Sequence, residues 1–311
     1  MPINSQTACK FCGSSELNSF HASERMLGLG GDFTYADCFS CGSIQLLTIP
    51  EDLSPYYPSG YYSFTQLQLS SFKTRLLKSL RMRAFLDFGI AWKAPMYGYW
   101  LKKLRPRLAD RIADVGCGNG QLLYELYAGG FSDLHGYDPF IAEEKQLAPG
   151  LKLWKKRLEE ADSKFDVIMM HHAFEHMEHP DEILKACFEK LNSGGQLLIR
   201  CPVADSVVWK ESRELWVQLD APRHLIIPSV NGLKLKAEQI GFSLQEVEFD
   251  SSDFQFWGTE LYRKGEILDV GKVSKYFSTE ERLAMQKKAL QLNQEGKGDQ
   301  ACFYFRKPIK A

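Results

Sequence analysis

The chain has 311 residues, of which 44% are hydrophobic and 25% are charged, so it can form a sizeable core with one large domain and one small one. Its formal net charge of −1 argues against polyanion binding through the overall field. No stretch of about 18 uncharged apolar residues occurs, and the first residues lack the basic and apolar regions of a signal peptide. We therefore expect a cytoplasmic protein without a transmembrane segment.

The most distinctive feature of the N-terminal region is a pair of Cys-x-x-Cys-Gly motifs. They place Cys9 and Cys12 ahead of Cys38 and Cys41, and each pair is closed by a glycine. Four thiolates at this spacing are typical of a closed, structural metal site, for which zinc is favoured over iron because nothing in the pattern requires redox chemistry. The other four cysteines show no pairing pattern, which fits a reducing compartment better than a disulfide framework.

Residues 1–50 predict a small zinc-ribbon-like module. Two β-prone runs, at 18–21 and 33–37, lie on either side of a glycine-rich segment and predict a hairpin that carries the cysteine pairs. Residues 51–105 predict a connector, which is rich in Tyr and Pro at first and basic further on.

The basic part of the connector has an unusual charge. Between residues 72 and 111, eleven Lys or Arg face two Asp, a net charge of +9. A solvated helical face is the plain interpretation, and a surface for RNA, anionic lipid or a phosphate-bearing substrate is the alternative. An amphipathic helix is predicted here by apolar residues at Leu76, Leu77, Leu80, Phe85 and Phe88.

From residue 106 onward, short apolar strands alternate with helical segments, which is typical of a parallel sheet with helical crossovers. The pattern predicts strands at 111–115, 133–138, 151–154, 165–170, 196–201, 244–249 and 301–305, and helices at 120–128, 141–147, 180–191 and 229–240. The long interval between the last two strands predicts an inserted cap at about 250–299, because it far exceeds an ordinary loop.

A glycine-rich loop follows the first of these strands. In Asp114-Val115-Gly116-Cys117-Gly118-Asn119-Gly120, the missing side chains let a ligand approach the backbone directly before a helix. A dinucleotide fingerprint would need glycine at position 121, which is Gln. The loop instead resembles that of class I S-adenosylmethionine-dependent methyltransferases.

This resemblance implies a Rossmann-like α/β fold over residues 106–311, with a mostly parallel seven-stranded sheet whose last strand is antiparallel. It also implies methyltransferase activity with S-adenosylmethionine as cofactor. Asp138, followed by Pro139, would bind the ribose diol, because one carboxylate accepts two hydrogen bonds. Leu158 and Glu159 stand where the family usually places an adenine-contacting Asp. The complete set of expected cofactor contacts is Asp114, Gly116, Cys117, Gly118, Gly120, Asp138, Pro139, Leu158, Glu159 and His171.

A histidine-rich segment follows the fourth strand, at the edge where parallel sheets bind ligands. His172, Glu175 and His176 match a His-x-x-Glu-His motif of many small-molecule methyltransferases, and the order of residues excludes the His-Glu-x-x-His of zinc proteases. For each histidine, a structural hydrogen-bonding role stays open.

A second segment, Asp220-Ala221-Pro222-Arg223-His224-Leu225, resembles one found after strand five in a subgroup of these enzymes, which also has a four-cysteine module and acts on sugars or other small molecules. Arg223 would bind a substrate phosphate or carboxylate, or else bridge to a helix end. His224 would take a proton from the acceptor.

These observations predict methyl transfer to a hydroxyl, or less readily to carbon, of a small glycan-like or nucleotide-linked acceptor. His224 or His176 would be the base, with His172 as a further catalytic candidate. The expected walls of the acceptor pocket are Tyr61, Tyr62, Trp209 and Trp216. An RNA base methyltransferase that uses residues 72–111 is the alternative, and a non-catalytic interaction protein is the third.

Overall fold

The computed structural model describes residues 8–58, 66–90 and 94–309. The strands are β1 (Leu17–Glu24), β2 (Gly30–Cys38), β3 (Ile44–Leu46), β4 (Arg111–Val115), β5 (Asp133–Tyr137), β6 (Lys145–Ala148), β7 (Leu151–Trp154), β8 (Phe165–His171), β9 (Leu191–Pro202), β10 (Ile226–Ile227), β11 (Ser243–Phe249) and β12 (Gln300–Arg306). The helices are α1 (Phe72–Phe88), α2 (Gly98–Leu104), α3 (Gln121–Ala128), α4 (Pro180–Lys190), α5 (Val207–Ser212), α6 (Val230–Ile240), α7 (Phe254–Arg263), α8 (Val273–Tyr276) and α9 (Thr279–Gln294).

The larger sheet has the order β11-β12-β9-β8-β4-β5-β7-β6. Neighbours from β9 to β7 pair in parallel, whereas β12 runs antiparallel to both β9 and β11. This is the predicted mostly parallel sheet with an antiparallel last strand, and the edge strand β6 brings it to eight strands instead of seven. Because β4, β5 and β8 are parallel, the loops that follow them meet at one edge of the sheet.

The predicted helix at 141–147 is wrong. Lys145–Ala148 forms the edge strand β6, which is antiparallel to β7. Pro149 and Gly150 join the two strands, and Gly150 has a φ of +75°, which suits a tight hairpin turn. A Cβ atom at Gly150 would lie 1.9 Å from the Ser132 carbonyl oxygen, so this turn requires glycine.

The smaller sheet has the order β1-β2-β3-β10 and includes the predicted N-terminal hairpin as β1 and β2. Its fourth strand, β10, comes from the segment after β9 and pairs with β3. Ser229 then caps α6, accepting from Gly232 N at 2.9 Å, while its own N–H donates to Ser43 Oγ at 2.9 Å. The cysteine-bearing module and the catalytic domain therefore share one sheet and one helix cap.

Helix α1 forms where predicted, but it buries a different face. Leu76, Leu77 and Leu80 are more than half exposed, as is Phe88, while Met82 and Phe85 contact the core. The spacing of apolar residues predicted the helix, but it did not predict which face of the helix packs against the core.

The interval between β11 and β12 contains α7, α8 and α9. Trp257, Leu261, Val273 and Phe277 form a small apolar cluster among these helices. The segment contacts the N-terminal module, because Leu268 N donates to Met26 O at 3.2 Å. Within the described ranges, every helix is too short or too polar to cross a bilayer.

Candidate active site

The glycine-rich loop joins β4 to α3 and adopts backbone angles that favour glycine. Gly116, Gly118 and Gly120 have φ values of +74°, +50° and +80°. Gly116 N donates to the Tyr137 carbonyl at 2.8 Å, and a Cβ atom at Gly116 would lie 2.5 Å from Ala173 Cβ. The loop therefore lies directly against the segment that follows β8.

Asp138 comes at the end of β5 and faces the same loop. Its Oδ2 accepts from Gly118 N at 3.0 Å, and its Oδ1 accepts from Phe140 N, beyond Pro139, at 2.8 Å. A carboxylate has about four lone-pair sites, so these two bonds leave two for a vicinal diol. The arrangement fits the ribose of the expected cofactor.

Two other predicted cofactor residues are buried beneath the loop. Burial, and then the charge of Asp138, raise the pKa of Asp114 to about 8. A cationic amino group that approached Asp114 would lower this pKa again. Cys117 packs its side chain against β5, because a Cβ atom at Gly136 would lie 2.5 Å from Cys117 Sγ. Only the backbone of Cys117 can therefore serve a ligand.

The expected adenine contacts lie in a turn of 3-10 helix at Leu158–Glu160. The Leu158 side chain is buried, and its carbonyl accepts from Ala161 N at 3.0 Å, so its N–H is the group left for an adenine. Glu159 is exposed. Glu160 holds the turn by accepting from Arg157 N at 2.7 Å.

His171 ends β8 and lies against two aromatic rings that the sequence did not indicate. Its ring centroid is 4.4 Å from that of Trp100 and 6.3 Å from that of Tyr97. Both ring nitrogens are buried and find no hydrogen-bond partner among the described residues. Burial, and then the charge of Arg200, lower its pKa, so the imidazole is neutral.

His172 uses both ring nitrogens to hold its neighbours. Arg200 donates a hydrogen bond to Nε2 of His172, so Nε2 must be an acceptor. The proton of a neutral ring therefore lies on Nδ1, which donates to Glu175 Oε1 at 3.2 Å. Arg200 is itself held by Asp250, at 2.6 Å. His172 therefore positions Glu175, which does not fit the prediction that His172 is catalytic.

Glu175 is fully buried, and its second oxygen, Oε2, has no partner among the described residues. Burial favours the protonated acid. The hydrogen bond from His172 and the surrounding imidazoles outweigh it and lower the pKa of Glu175 to about 2. Glu175 is therefore a buried carboxylate with one uncommitted oxygen.

His176 and His224 meet Glu175 from two different segments. His224 Nδ1 bonds to the Gln218 carbonyl at 2.7 Å, and His176 Nδ1 bonds to the Arg223 carbonyl at 2.9 Å. Because a carbonyl only accepts, each Nδ1 carries the proton and each Nε2 keeps a lone pair. Burial, and then His176, lower the pKa of His224 to about 4, so its ring is neutral near pH 7.

A small pocket of about 90 Å³, open to solvent, lies beside these groups. The module contributes Met26, the segment between β11 and β12 contributes Phe254 of α7 and Leu268 beyond it, and the floor contains Glu175 and His224. The remaining lining residues are His172, Val217, Gln218 and Asp220. An apolar wall with a few convergent polar groups is the usual form of a small-molecule site.

Of the four predicted aromatic wall residues, Trp209 and Trp216 do not line this pocket. Trp209 and Trp216 are buried in the core beside the smaller sheet, where Trp216 Nε1 donates to Asp299 at 3.1 Å. These two tryptophans were predicted to face a ligand because they are aromatic, but in the structure they pack against the module. Tyr61 and Tyr62 lie outside the described residues.

Arg223 does not reach the pocket, so the prediction that it binds the acceptor is wrong. Its fully buried guanidinium donates to both carboxylate oxygens of Asp220, at 2.9 and 2.6 Å, and to Glu24 Oε1 at 2.8 Å. A fourth bond, at 3.2 Å, reaches the Tyr56 carbonyl. Arg223 instead ties the segment before β10 to the module.

The four predicted metal ligands converge at the end of the smaller sheet. Cys9 Sγ lies 3.5 Å from Cys41 Sγ, and Cys12 Sγ lies 3.5 Å from Cys38 Sγ. All four sulfurs lie within 4.8 Å of one another. Four thiolates about 2.3 Å from one tetrahedral ion would be about 3.8 Å apart, so the cluster fits such an ion.

Comparison with known proteins agrees with this geometry. Residues 64–247 match the family described as a methyltransferase domain. The chain therefore belongs to this family, and it is an S-adenosylmethionine-dependent methyltransferase. The interpretation as a non-catalytic scaffold is not retained.

Two relatives are tRNA U34 carboxymethyltransferases. That of Helicobacter acinonychis (strain Sheeba) is 32% identical over 185 residues, covering 55% of this chain and 68% of the relative. That of Helicobacter pylori (strain Shi470) is 29% identical over 184 residues, with the same coverage. A crystal structure of an S-adenosylmethionine-dependent methyltransferase from Mesorhizobium loti aligns with a TM-score of 0.44 and 16% identity, covering 71% of this chain and 99% of that one.

We predict that Arg223→Met lowers the free energy of unfolding by about 3–5 kcal/mol, because it leaves the carboxylates of Glu24 and Asp220 buried without a counter-ion. Denaturant unfolding measures the change. The matched control is Arg263→Met, which removes an arginine that is 51% exposed beside Glu260 and should cost about 1 kcal/mol or less. Equal effects of the two substitutions would contradict the assignment.

We also predict that Asp138→Ala weakens S-adenosylmethionine binding by about 1.5–3 kcal/mol, the scale of hydrogen bonds to a charged group. Calorimetry on the purified protein measures the affinity. Asp181→Ala, which removes an exposed ion pair with Lys185, is the control and should leave the affinity unchanged. Wild-type affinity in Asp138→Ala would place the ribose elsewhere.

Proposed function

We propose that the chain transfers a methyl group from S-adenosylmethionine to a hydroxyl oxygen of a small glycan-like or nucleotide-linked acceptor. When bound, the cofactor supplies an activated sulfonium methyl group. The chain must therefore hold the acceptor, align its oxygen and manage the hydroxyl proton.

The main support for this proposal is the position of the pocket whose floor contains Glu175 and His224. Its floor, at Glu175, follows β8 directly, and the neighbouring Ala173 contacts Gly116 of the glycine-rich loop. An acceptor in the pocket would therefore lie beside the proposed cofactor site. Apolar residues from the module and from the cap close the pocket on two sides, which suits a small molecule better than a polymer.

The protonation states in the pocket suit a hydroxyl acceptor. The Nδ1 protons of His176 and His224 are held by backbone carbonyls, so each Nε2 keeps its lone pair. A neutral imidazole can accept a proton in the transition state. Asp220 and Glu175 stabilise the resulting charge on His224 in part, although burial makes this ring a weak base with a lowered pKa. His224 or His176 is accordingly the proposed base, as the sequence predicted.

His224→Gln should lower turnover by about 10²–10⁴-fold and leave cofactor affinity unchanged, because proton removal enters only in the transition state. Transfer of a labelled methyl group, together with calorimetry of cofactor binding, separates the two effects. The control is His179→Gln, a half-exposed histidine outside the pocket. If His176→Gln alone reproduces the loss and His224→Gln is active, the base is His176.

We further propose that the cysteine cluster holds a structural zinc ion. The four sulfurs leave no coordination position for a substrate, so the site would stabilise the module and take no part in transfer. None of the eight cysteines forms a disulfide, which fits the reducing conditions of a cytoplasm.

Elemental analysis should find one zinc per chain, and Cys38→Ser should lower that content, because three thiolates no longer close the tetrahedron. Cys187→Ser is the control, since Cys187 is buried in α4 away from the cluster. A zinc content that is unaffected by Cys38→Ser, or that is replaced by iron, would overturn the proposal.

RNA is the second candidate acceptor, because the two relatives named above act on tRNA by their names. Lys73, Arg83 and Lys102 are exposed on α1 and α2 and could contact phosphates. The segment is less basic than its sequence indicates, however. Lys78 pairs with Glu125, Lys103 with Glu246 and Glu248, and Arg111 with Asp133.

Salt dependence distinguishes the two acceptors. RNA affinity falls steeply with salt in proportion to the phosphates neutralised, whereas a small acceptor contacts one or two charges. We expect weak RNA binding and a turnover that Lys73→Glu/Arg83→Glu does not change. Micromolar RNA binding that falls by about 10³-fold or more between 50 and 200 mM salt, and that this double variant abolishes, would favour RNA.

A further inference from the structure

A second group of metal-ligating side chains, separate from the cysteines, lies at the edge of the pocket, which Glu175 and His224 line and which His176 adjoins. One donor atom each from Glu175, His176 and His224 lies within 4.8 Å of the others. His224 Nε2 is 4.0 Å from Glu175 Oε1 and 3.8 Å from Asp220 Oδ2. Two imidazoles and one carboxylate form a common ligand set for divalent first-row ions.

We propose that Glu175, His176 and His224 bind a divalent metal ion at the floor of the acceptor pocket. The proposal rests on the proposed function and deepens it, because such an ion would take the acceptor through its oxygen atoms. Three protein ligands leave open positions, which is the mark of a reactive site and not of a structural one.

The surroundings of each ligand support this assignment. In metal sites, a ligating histidine almost always donates its other ring N–H to a carbonyl or carboxylate, which fixes the ring and its tautomer. His176 and His224 both do so, through the carbonyls of Arg223 and Gln218. Glu175 is likewise held by an outer partner, His172, which Arg200 and Asp250 hold in turn.

The uncommitted oxygen of Glu175 is the second, independent observation. Oε2 of this fully buried carboxylate has no partner among residues 8–58, 66–90 and 94–309, which costs free energy, and a bound cation would satisfy it. Donors around one ion at about 2.1 Å lie roughly 3–3.4 Å apart. The donors here are more widely spaced, so binding requires the side chains to close around the ion.

A metal role and a base role exclude each other at one nitrogen. If Nε2 of His224 donates its lone pair to an ion, it cannot take the acceptor proton. The ion would instead make the bound hydroxyl more acidic, as it does for bound water. The hydroxyl proton would then pass to water in the open pocket, and the oxygen would take the methyl group as its bond to the cofactor sulfur breaks. The acceptor class that fits is one that offers an oxygen ligand, and better two neighbouring oxygens, to the open positions.

Manganese titration of the full chain, purified with its cysteine-bound metal in place, tests the site. Electron paramagnetic resonance of free Mn²⁺ should show saturable binding of one ion per chain. Glu175→Gln and His224→Gln should abolish saturable binding. His172→Gln should weaken the affinity by about 10–100-fold, which is the usual effect of removing a residue that hydrogen-bonds to a metal ligand. His179→Gln is the matched control and should bind as wild type does.

Two results would overturn the proposal: no saturable Mn²⁺ binding in the wild type, or binding that Glu175→Gln and His224→Gln leave unchanged. Retained S-adenosylmethionine binding shows that the variants are folded. If methyl transfer to oxygen proceeds at full rate with a chelator that leaves the cysteine-bound metal in place, the metal site fails and the proposed function stands. If Mn²⁺ binds as expected and no oxygen is methylated, the proposed function fails and the metal site stands.

Discussion

The structure depends on one buried ion-pair network, centred on Arg223. Its guanidinium joins Asp220 of the pocket lining to Glu24 at the end of β1, and neither Arg223 nor Glu24 is exposed. Glu24 also accepts from the amides of Leu27 and Leu29, so it fixes the turn that carries Met26. Removing any one member would leave a charge in a medium that solvates it poorly.

The network shows how the four-cysteine module is joined to the methyltransferase domain. The carbonyl of His224 accepts from Tyr35 of β2, and Leu225 N donates to the Glu175 carbonyl. The segment that carries His224 is therefore held by the module on one side and by the histidine-rich loop on the other. The cysteine cluster stabilises the small sheet, and the small sheet positions the pocket.

Much of this could be predicted from sequence, because local patterns encode it. Apolar runs located the strands, and the spacing from Gly116 to Asp138 reflects one loop, one helix and one strand, a distance set by geometry. The cysteine spacing indicated the cluster for a similar reason. The edge strand at Lys145–Ala148 was missed, because its hairpin depends on the Pro149-Gly150 turn more than on periodicity.

The rest depends on contacts between distant residues, which no local pattern records. Nothing in the sequence around Glu24 indicates that it pairs with Arg223, and nothing around Arg200 indicates that it orients His172. An aromatic residue such as Trp216 is equally suited to a ligand wall and to a core. Glu175 belongs to the His-x-x-Glu-His motif. The motif does not show that Glu175 Oε2 lacks a hydrogen-bond partner among the described residues, because that depends on what the neighbouring side chains bind.

Strand β10 has a consequence for synthesis of the chain. The small sheet needs Ile226 and Ile227 as its last strand, and these residues emerge from the ribosome long after β1, β2 and β3. Since domains tend to fold in the order of synthesis, the N-terminal hairpin must wait with an unpaired edge at β3 while the central strands assemble. Early metal capture by the cysteines would keep this nascent hairpin together until its distant partner arrives.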